Sequence, residues 1–452
     1  MNQEIRAMKN ELVAMRRDFH RYPEVGWTEM RTTSIIARRL YDLDFDEILM
    51  GEEVCSRSAR MGVPSEETLK ACYARALQEE GTDPEFLKRT KDGMTGVIGV
   101  LRCGEGPTVA MRFDIDALPI EETEDKSHFP NEEGFHSKHQ GIMHACGHDN
   151  HITVGLGTAA CLARHRDELH GTVKLIFQPA EEGVRGARSV VENGHLDDVD
   201  FLFGSHISSM EMDPGESEKG KVFDGSAENG GGHSTGVIGL GAWTSLATTK
   251  LDADFTGTPA HAGKEPEAGD NAMLAAATAV LNLQAIPRFG GAMTRINVGK
   301  MVAGTSRNII CDHAHLEMEV RGSTTEANTY METYARRILT SAAAMHNCKV
   351  EIEVEGTASA GKNDPDLVER VRAILKENTD LKVQPLDPNR KLVSEDYACL
   401  AEAVQSHGGK SVYFLNMVPA VASLHSDHFS PDEVGLLNGV EAFTAIVKGL
   451  LS

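Results

Sequence analysis

The stretch Thr172-Val173-Lys174-Leu175-Ile176-Phe177-Gln178-Pro179-Ala180-Glu181-Glu182-Gly183 begins as a short apolar run and ends in a turn that carries two adjacent carboxylates. The run from Thr172 to Gln178 reads as a buried strand. Gly96–Leu101, Thr108–Phe113 and Phe201–His206 read the same way. A helix rich in Gly and Ala (Val154 to Arg164) and a short helix near Ala187–Asn193 fall between them. Strand and helix in alternation imply an α/β domain with a largely parallel sheet flanked by helices. Ligands gather at the C-terminal edge of such a sheet. Glu181 and Glu182 stand at that edge, where one carboxylate can hold a metal and the other can take a proton from water.

Working outward, residues 3–20 and 29–43 have helical apolar spacing, interrupted by a loop at His20–Gly26. Residues 52–93 are charged and only weakly periodic, an excursion from the core. Residues 249–360 change character. They read strand, helix, strand, strand, helix, strand, which is the order of a small ferredoxin-like unit. The expected architecture is one α/β domain in two parts, 1–248 and 361–452, interrupted by an inserted α+β domain at 249–360.

The formal charge of −23 disfavours nucleic acid and anionic membranes as partners. An anionic substrate would need a local positive anchor. The eight cysteines are scattered without a CxxC pair, which points to a reducing compartment. The N-terminus lacks a basic stretch followed by an apolar core, and no apolar run approaches the roughly 20 residues that cross a bilayer. A cytoplasmic enzyme is expected. A chain of 452 residues buries a large core unaided, so any bound metal would serve chemistry.

The densest cluster of chemistry-bearing residues is Met143-His144-Ala145-Cys146-Gly147-His148-Asp149-Asn150-His151. Cys146 and His148, two apart at the start of a helix, can point at one ion, and a thiolate with a neutral imidazole suits zinc and related divalent metals. Asp149 beside His148 is expected to hold its other ring nitrogen. Asp114 and Asp116 leave the strand Val109–Phe113 together, placed for ligation or support. His206 ends another buried strand. His425 lies in Leu424-His425-Ser426-Asp427-His428-Phe429, where His428 competes with it.

The motifs Arg16-Arg17-Asp18-Phe19-His20, Phe113-Asp114-Ile115-Asp116-Ala117-Leu118-Pro119, His144–Asp149, Phe177–Gly183 and Gly257-Thr258-Pro259-Ala260-His261-Ala262-Gly263 occur in order over nearly the whole chain. Together they resemble the amidohydrolase branch of the aminoacylase and carboxypeptidase metallopeptidase family. The segment from Met50 to Gly96 further resembles members of that branch that act on p-aminobenzoyl-glutamate. The resemblance implies two divalent metal ions per chain, zinc or manganese, held by Cys146, His148, Glu182, His206 and His425. It implies Glu181 as general base, Asp116 as support for a histidine ligand, and Asp114 at a position other branches fill with a ligating His. It implies that His261, in an inserted lid and dimerisation domain, reaches the partner subunit's site to stabilise an oxyanion, and that Asn308 meets the substrate. Arg307 is the expected carboxylate anchor. His144 and His151 are expected to be neighbours only. The expected reaction is hydrolysis of an N-acyl or N-aroyl amino acid, p-aminobenzoyl-glutamate first, by a homodimer or with a homologous second subunit. The alternatives are an indole-3-acetyl-aspartate or general N-acyl-amino-acid hydrolase, and a non-catalytic subunit of a hetero-oligomer.

Overall fold

Apolar runs too short for helices and bounded by turns have to pair edge to edge, and here they build one large sheet. The computed structural model describes residues 3–209, 236–386 and 393–452. At the centre of the sheet, Thr172–Gln178, Thr108–Asp114, Phe201–Ser209 and Lys410–Val418 lie side by side and parallel. Every residue of Thr108–Asp114 is buried, as expected of a parallel strand covered on both faces. Antiparallel strands Val97–Arg102 and Glu47–Met50 extend one side. Val237–Gly239 and Lys382–Gln384 extend the other, to give an eight-stranded mixed sheet. Glu47–Met50, Val237–Gly239 and Lys382–Gln384 were not legible in the sequence. Runs of three or four residues carry too little alternation to be recognised.

The helix His148–Arg164 lies on the sheet beneath Lys9–Arg21 and Val434–Leu451. Gly155 makes this contact possible. A Cβ there would come within 2.7 Å of the Phe177 ring and 2.8 Å of Phe113. Val434–Leu451 is apolar and long enough by composition to cross a bilayer, but 78 % of it is buried inside the chain, where it serves as a core helix.

The second sheet is antiparallel, in the order Lys349–Ala358, Ala247–Thr256, His313–Gly322, Thr294–Ala303. Helices Ala272–Leu283 and Thr325–Met345 cover one face, and the chain order is the ferredoxin-like one expected. Leu251, Ala253 and Phe255 point into that core. Lys250, Asp252 and Asp254 alternate with them and lie on the opposite face.

The charged excursion folds onto the helix Met30–Asp42 through a small cluster of Met30, Leu69, Ala76 and Leu87. Its helices Glu66–Ala76 and Pro84–Leu87 are capped by Ser65 and Asp83. The loop between them and the core turns back inward. Trp27 Nε1 donates to the Met61 carbonyl at 2.8 Å, and Arg185 Nη1 donates to the Gly62 carbonyl at 3.0 Å. The excursion therefore touches the turn that bears Glu181 and Glu182.

Candidate metal centre

Four parallel strands end at one edge, and the turns after them deliver side chains to one place. Glu181 and Glu182 follow Thr172–Gln178, Asp116 follows Thr108–Asp114, and His425 follows Lys410–Val418. His206 lies in the second half of Phe201–Ser209. Cys146 and His148 flank Gly147, whose φ of 87° turns the chain into the helix beginning at His148. A side chain at Gly147 would also collide with Ile207 at 2.6 Å.

Cys146 Sγ lies 3.3 Å from His206 Nε2 and 3.3 Å from His425 Nε2. His425 Nε2 is 3.7 Å from Glu182 Oε1, and His148 Nε2 is 3.9 Å from Glu181 Oε2. Donor atoms of Cys146, His148 and His206 lie within 4.8 Å of one another, as do those of Cys146, Glu182 and His425. His148 Nε2 and Glu182 Oε1 are buried without a hydrogen-bond partner. Leaving such an atom unsatisfied costs about 1–3 kcal/mol. Both imidazoles are held from behind: His148 Nδ1 donates to the Asp116 carbonyl at 2.8 Å, and His206 Nδ1 donates to the Ile207 carbonyl at 2.5 Å. Each ring thereby turns Nε2 toward the cluster, the arrangement of a ligating imidazole. Burial opposes a charge on His148, yet the Asp114 carboxylate holds it well above the ordinary histidine value while no cation is bound. One thiol, three imidazoles and a carboxylate with orphaned donor atoms fit divalent metal.

Without a cation the site is electrostatically unfavourable. Burial pushes Glu181 well above the carboxylate range, and the nearby Glu395 and Glu182 push it further. Burial raises Glu182 to about 7 against the attraction of His148. Burial and the Glu182 carboxylate raise the Cys146 thiol well above its usual value. Burial lowers His206 to about 3 and keeps it neutral. A divalent cation would favour the charged form of each acidic group.

Two buried carboxylates support the turn: Asp116, named from the resemblance, and Glu29, which nothing in the sequence marks. The Asp116 carboxylate accepts from the backbone N–H groups of Glu181 at 3.1 Å and Glu182 at 2.9 Å. Glu29, fully buried, accepts from Ala180 N at 2.8 Å and from Thr95 Oγ1 at 2.8 Å. These bonds hold a strained turn, since Ala180 (φ 52°) and Val184 (φ 60°) flank the glutamates in left-handed conformation. His425 (φ 64°) is strained in the same way. Asp149 departs from expectation. It does not hold His148 but takes His20 Nδ1 at 2.9 Å and Arg16 Nε at 2.8 Å. The start of the helix aims its side chain away from the cluster and toward Lys9–Arg21.

Behind the site, Arg112 is fully buried and reaches Asp114 at 2.6 Å, Asp396 at 2.8 Å and Glu395 at 3.0 Å. Asp114 bonds His151 Nδ1, and His151 Nε2 accepts from Ile207 N at 2.9 Å. His151 is thus more than a neighbour: its Nδ1 holds Asp114 at the end of one strand, and its Nε2 holds Ile207 in the adjacent strand that carries His206. His144 is buried with both ring nitrogens unpartnered. Nothing in the sequence marks Arg112, in a strand, and Asp396, 284 residues on, as partners.

The structure brings His261, Arg307 and Asn308 together on the second sheet's margin. His261 bridges to Ile309, and Ala262 N donates to the Asn308 carbonyl at 3.0 Å. Gly263 N donates to His261 Nδ1 at 3.2 Å, which leaves Nε2–H as the outward donor of a neutral ring. All three side chains are exposed. Among the described residues, no hydrogen bond or ion pair joins them to the cluster of the same chain. His428 pairs with Asp427 instead of entering the cluster.

The chain belongs to the peptidase family M20/M25/M40, whose model matches residues 110–449. It is 40 % identical over 445 residues to a p-aminobenzoyl-glutamate hydrolase homolog of Haemophilus influenzae that corresponds to one subunit of that enzyme, covering 98 % of this chain and 99 % of that one. It is 39 % identical over 450 residues to the indole-3-acetyl-aspartic acid hydrolase of Enterobacter agglomerans, covering 99 % of this chain and 98 % of the relative. Its fold matches the aminobenzoyl-glutamate utilization protein of Klebsiella pneumoniae with a TM-score of 0.80 and 32 % identity, over 99 % of this chain and 97 % of the other. The YXEP protein of Bacillus subtilis, a dinuclear metal binding peptidase of the M20 family, matches with a TM-score of 0.63 and 25 % identity over 99 % of both chains.

Proposed function

We propose that the chain hydrolyses the amide bond of an N-acyl or N-aroyl amino acid, with p-aminobenzoyl-glutamate as the first substrate. One observation carries the reading. Glu181, a carboxylate pushed upward by burial, stands beside a cluster of metal donors in which His148 Nε2 and Glu182 Oε1 are buried without hydrogen-bond partners. Cys146, His148, Glu182, His206 and His425 are the proposed ligands of two divalent ions, zinc or manganese. Bound ions would supply Lewis-acid polarisation of the amide carbonyl and a more acidic water. Glu181 then accepts the proton of the attacking water and returns it to the departing nitrogen. Asp116 keeps the backbone of both glutamates in place, so base and ligand hold their separate positions.

His261 is the proposed oxyanion donor, acting in the site of a second copy, with Arg307 and Asn308 meeting the substrate from the same margin. The proposed lid and dimerisation domain is 249–360, between catalytic parts 1–248 and 361–452. Support for a homodimer comes from the open edge strand Thr294–Ala303 with its exposed Val302, and from the exposed Leu274 and Leu281 of the helix Ala272–Leu283. The eight free cysteines accord with the cytoplasm.

The similarity to an indole-3-acetyl-aspartic acid hydrolase keeps that substrate as the second reading. Purified protein reconstituted separately with zinc and with manganese should be offered aroyl-glutamates, acyl-aspartates and neutral acyl amino acids. Preference for aroyl-glutamate supports the first reading, and preference for indole-3-acetyl-aspartate the second. Hydrolysis by a homologous subunit that needs this chain yet survives Glu181→Gln in it would establish a non-catalytic role.

A further inference from the structure

A protein of formal charge −23 that is read as binding an acyl amino acid must hold a carboxylate within its own acidic field. Two cations beside Glu181 have no ion-pair partner among the described residues. Lys250 sits mid-strand in Ala247–Thr256, opposite Glu319 on one side and Gly356 on the other. Glu319 already receives both Nε and Nη2 of Arg321, each at 2.9 Å. On the other side the sheet bulges at Gly356, where a Cβ would come within 2.1 Å of the Gly183 carbonyl. Thr357 N donates to the Val184 carbonyl at 2.9 Å. The strand next to Lys250 is therefore pressed against the turn that carries Glu181 and Glu182.

There the Lys250 ammonium is partly buried, attracted by Glu319 and Glu181 and repelled by Arg185 and Arg321. Arg185 hydrogen-bonds to neutral acceptors, the Glu182 carbonyl at 2.8 Å and the Gly62 carbonyl at 3.0 Å, and the half-buried Glu355 carboxylate attracts it from one side without an ion-pair contact. Gly62 has a φ of 55°, and a Cβ on it would meet Arg185 Cδ at 2.6 Å, so Arg185 can take this position only over a glycine. Two cations fixed near each other repel unless an anion lies between them. A guanidinium and an ammonium together suit a carboxylate.

We propose that Lys250 and Arg185 form, within a single chain, the anchor for a carboxylate of the substrate's amino-acid half. The proposal rests on the amidohydrolase reading above. It also gives the 50–96 excursion a task, because the Gly62 carbonyl from that segment orients Arg185. Specificity for an acidic amino acid is then set beside Glu181, in addition to the lid margin at Arg307.

The test compares wild type, Lys250→Met, Lys250→Arg and Arg185→Met on benzoyl-glutamate, benzoyl-glutamine and the α-amide of benzoyl-glutamate. For Lys250→Met and Arg185→Met, KM for benzoyl-glutamate should rise about tenfold or more with kcat nearly unchanged. The penalty should vanish for whichever analogue lacks the anchored carboxylate, and Lys250→Arg should restore most of the loss. Calorimetric binding of free glutamate should weaken by a similar factor, with thermal midpoint and metal content unchanged in Lys250→Met. An equal penalty on all three substrates, or unchanged KM and glutamate binding, overturns the anchor. If wild type hydrolyses none of the three yet binds glutamate in a Lys250-dependent way, the aroyl-glutamate reading fails and the anchor stands.

Discussion

Asp116 accepts the backbone N–H of Glu182 at 2.9 Å, so the carboxylate that leaves one strand end orders the turn leaving the next. The same side chain takes Glu181 N at 3.1 Å, and its own carbonyl holds His148. Asp116→Ala should lower metal affinity or kcat/KM by about 10–100-fold, the usual cost of losing an outer support of a metal site. Metal titration followed by steady-state kinetics measures it, and wild-type values in both would remove Asp116 from the machinery.

Glu181 and Glu182 differ in what surrounds them, and their variants should differ too. Glu181→Gln is expected to keep metal and lose about 10²–10⁴-fold in kcat. Glu182→Gln is expected to lose metal. Metal analysis of the two purified variants decides the matter, and the reverse pattern means the roles are exchanged.

His261 offers Nε2–H because Gly263 N occupies Nδ1. His261→Ala should lose about 10²–10³-fold in kcat if it donates to the oxyanion. Since it does not reach its own chain's cluster, mixing His261→Ala with Glu181→Gln should form hybrid dimers with one complete site. Activity that reappears on mixing supports the shared site, while a mixture no better than its parts argues that His261 acts in its own chain.

Arg112 neutralises buried carboxylates of Asp114, Asp396 and Glu395. Arg112→Met removes the one guanidinium those carboxylates share, and breaking a buried pair this way costs about 3–5 kcal/mol. Chemical denaturation near neutral pH should show a loss of that order. A loss below about 1 kcal/mol would mean the carboxylates are already neutral.

His144 gives a pH signature. Burial lowers it to about 3, so in acid the unfolded chain binds a proton there that the folded chain refuses. Stability tied to this residue is present above the ordinary histidine value of about 6.5 and declines as the pH falls below it, by about 1.4 kcal/mol per unit. Denaturation of wild type and His144→Met between pH 7 and pH 4 (roughly the interval set by that titration) should show wild type losing ground at this slope. Parallel curves would show that His144 does not titrate between the folded and unfolded states.

The strands that form the floor of the site were legible because each is a short apolar run with a turn at its end, and burial of a parallel strand on both faces demands that composition. The second sheet was legible for a related reason, since alternation in Ala247–Thr256 and His313–Gly322 marks one covered face. Cys146, His148, Glu181 and Glu182 could be singled out because residues that bind metal or move protons are few in kind and cluster at strand ends. His206 and His425 were selected by resemblance, as a lone histidine carries no signal of its own.

Only the tertiary structure decided the partners. Asp149 adjoins His148 in sequence but bonds His20, because the helix turns it to the other side. His151 and Asp114 meet across 37 residues, and Arg112 meets Asp396 across 284. Lys250 comes beside Glu181 only because a bulge at Gly356 lets one sheet press on a turn of the other. Periodicity reports which face of an element is covered, whereas a hydrogen bond or a charge pair depends on where two distant elements pack. The residue types able to do the chemistry were therefore written in the chain, and the pairings that tune them were settled by packing.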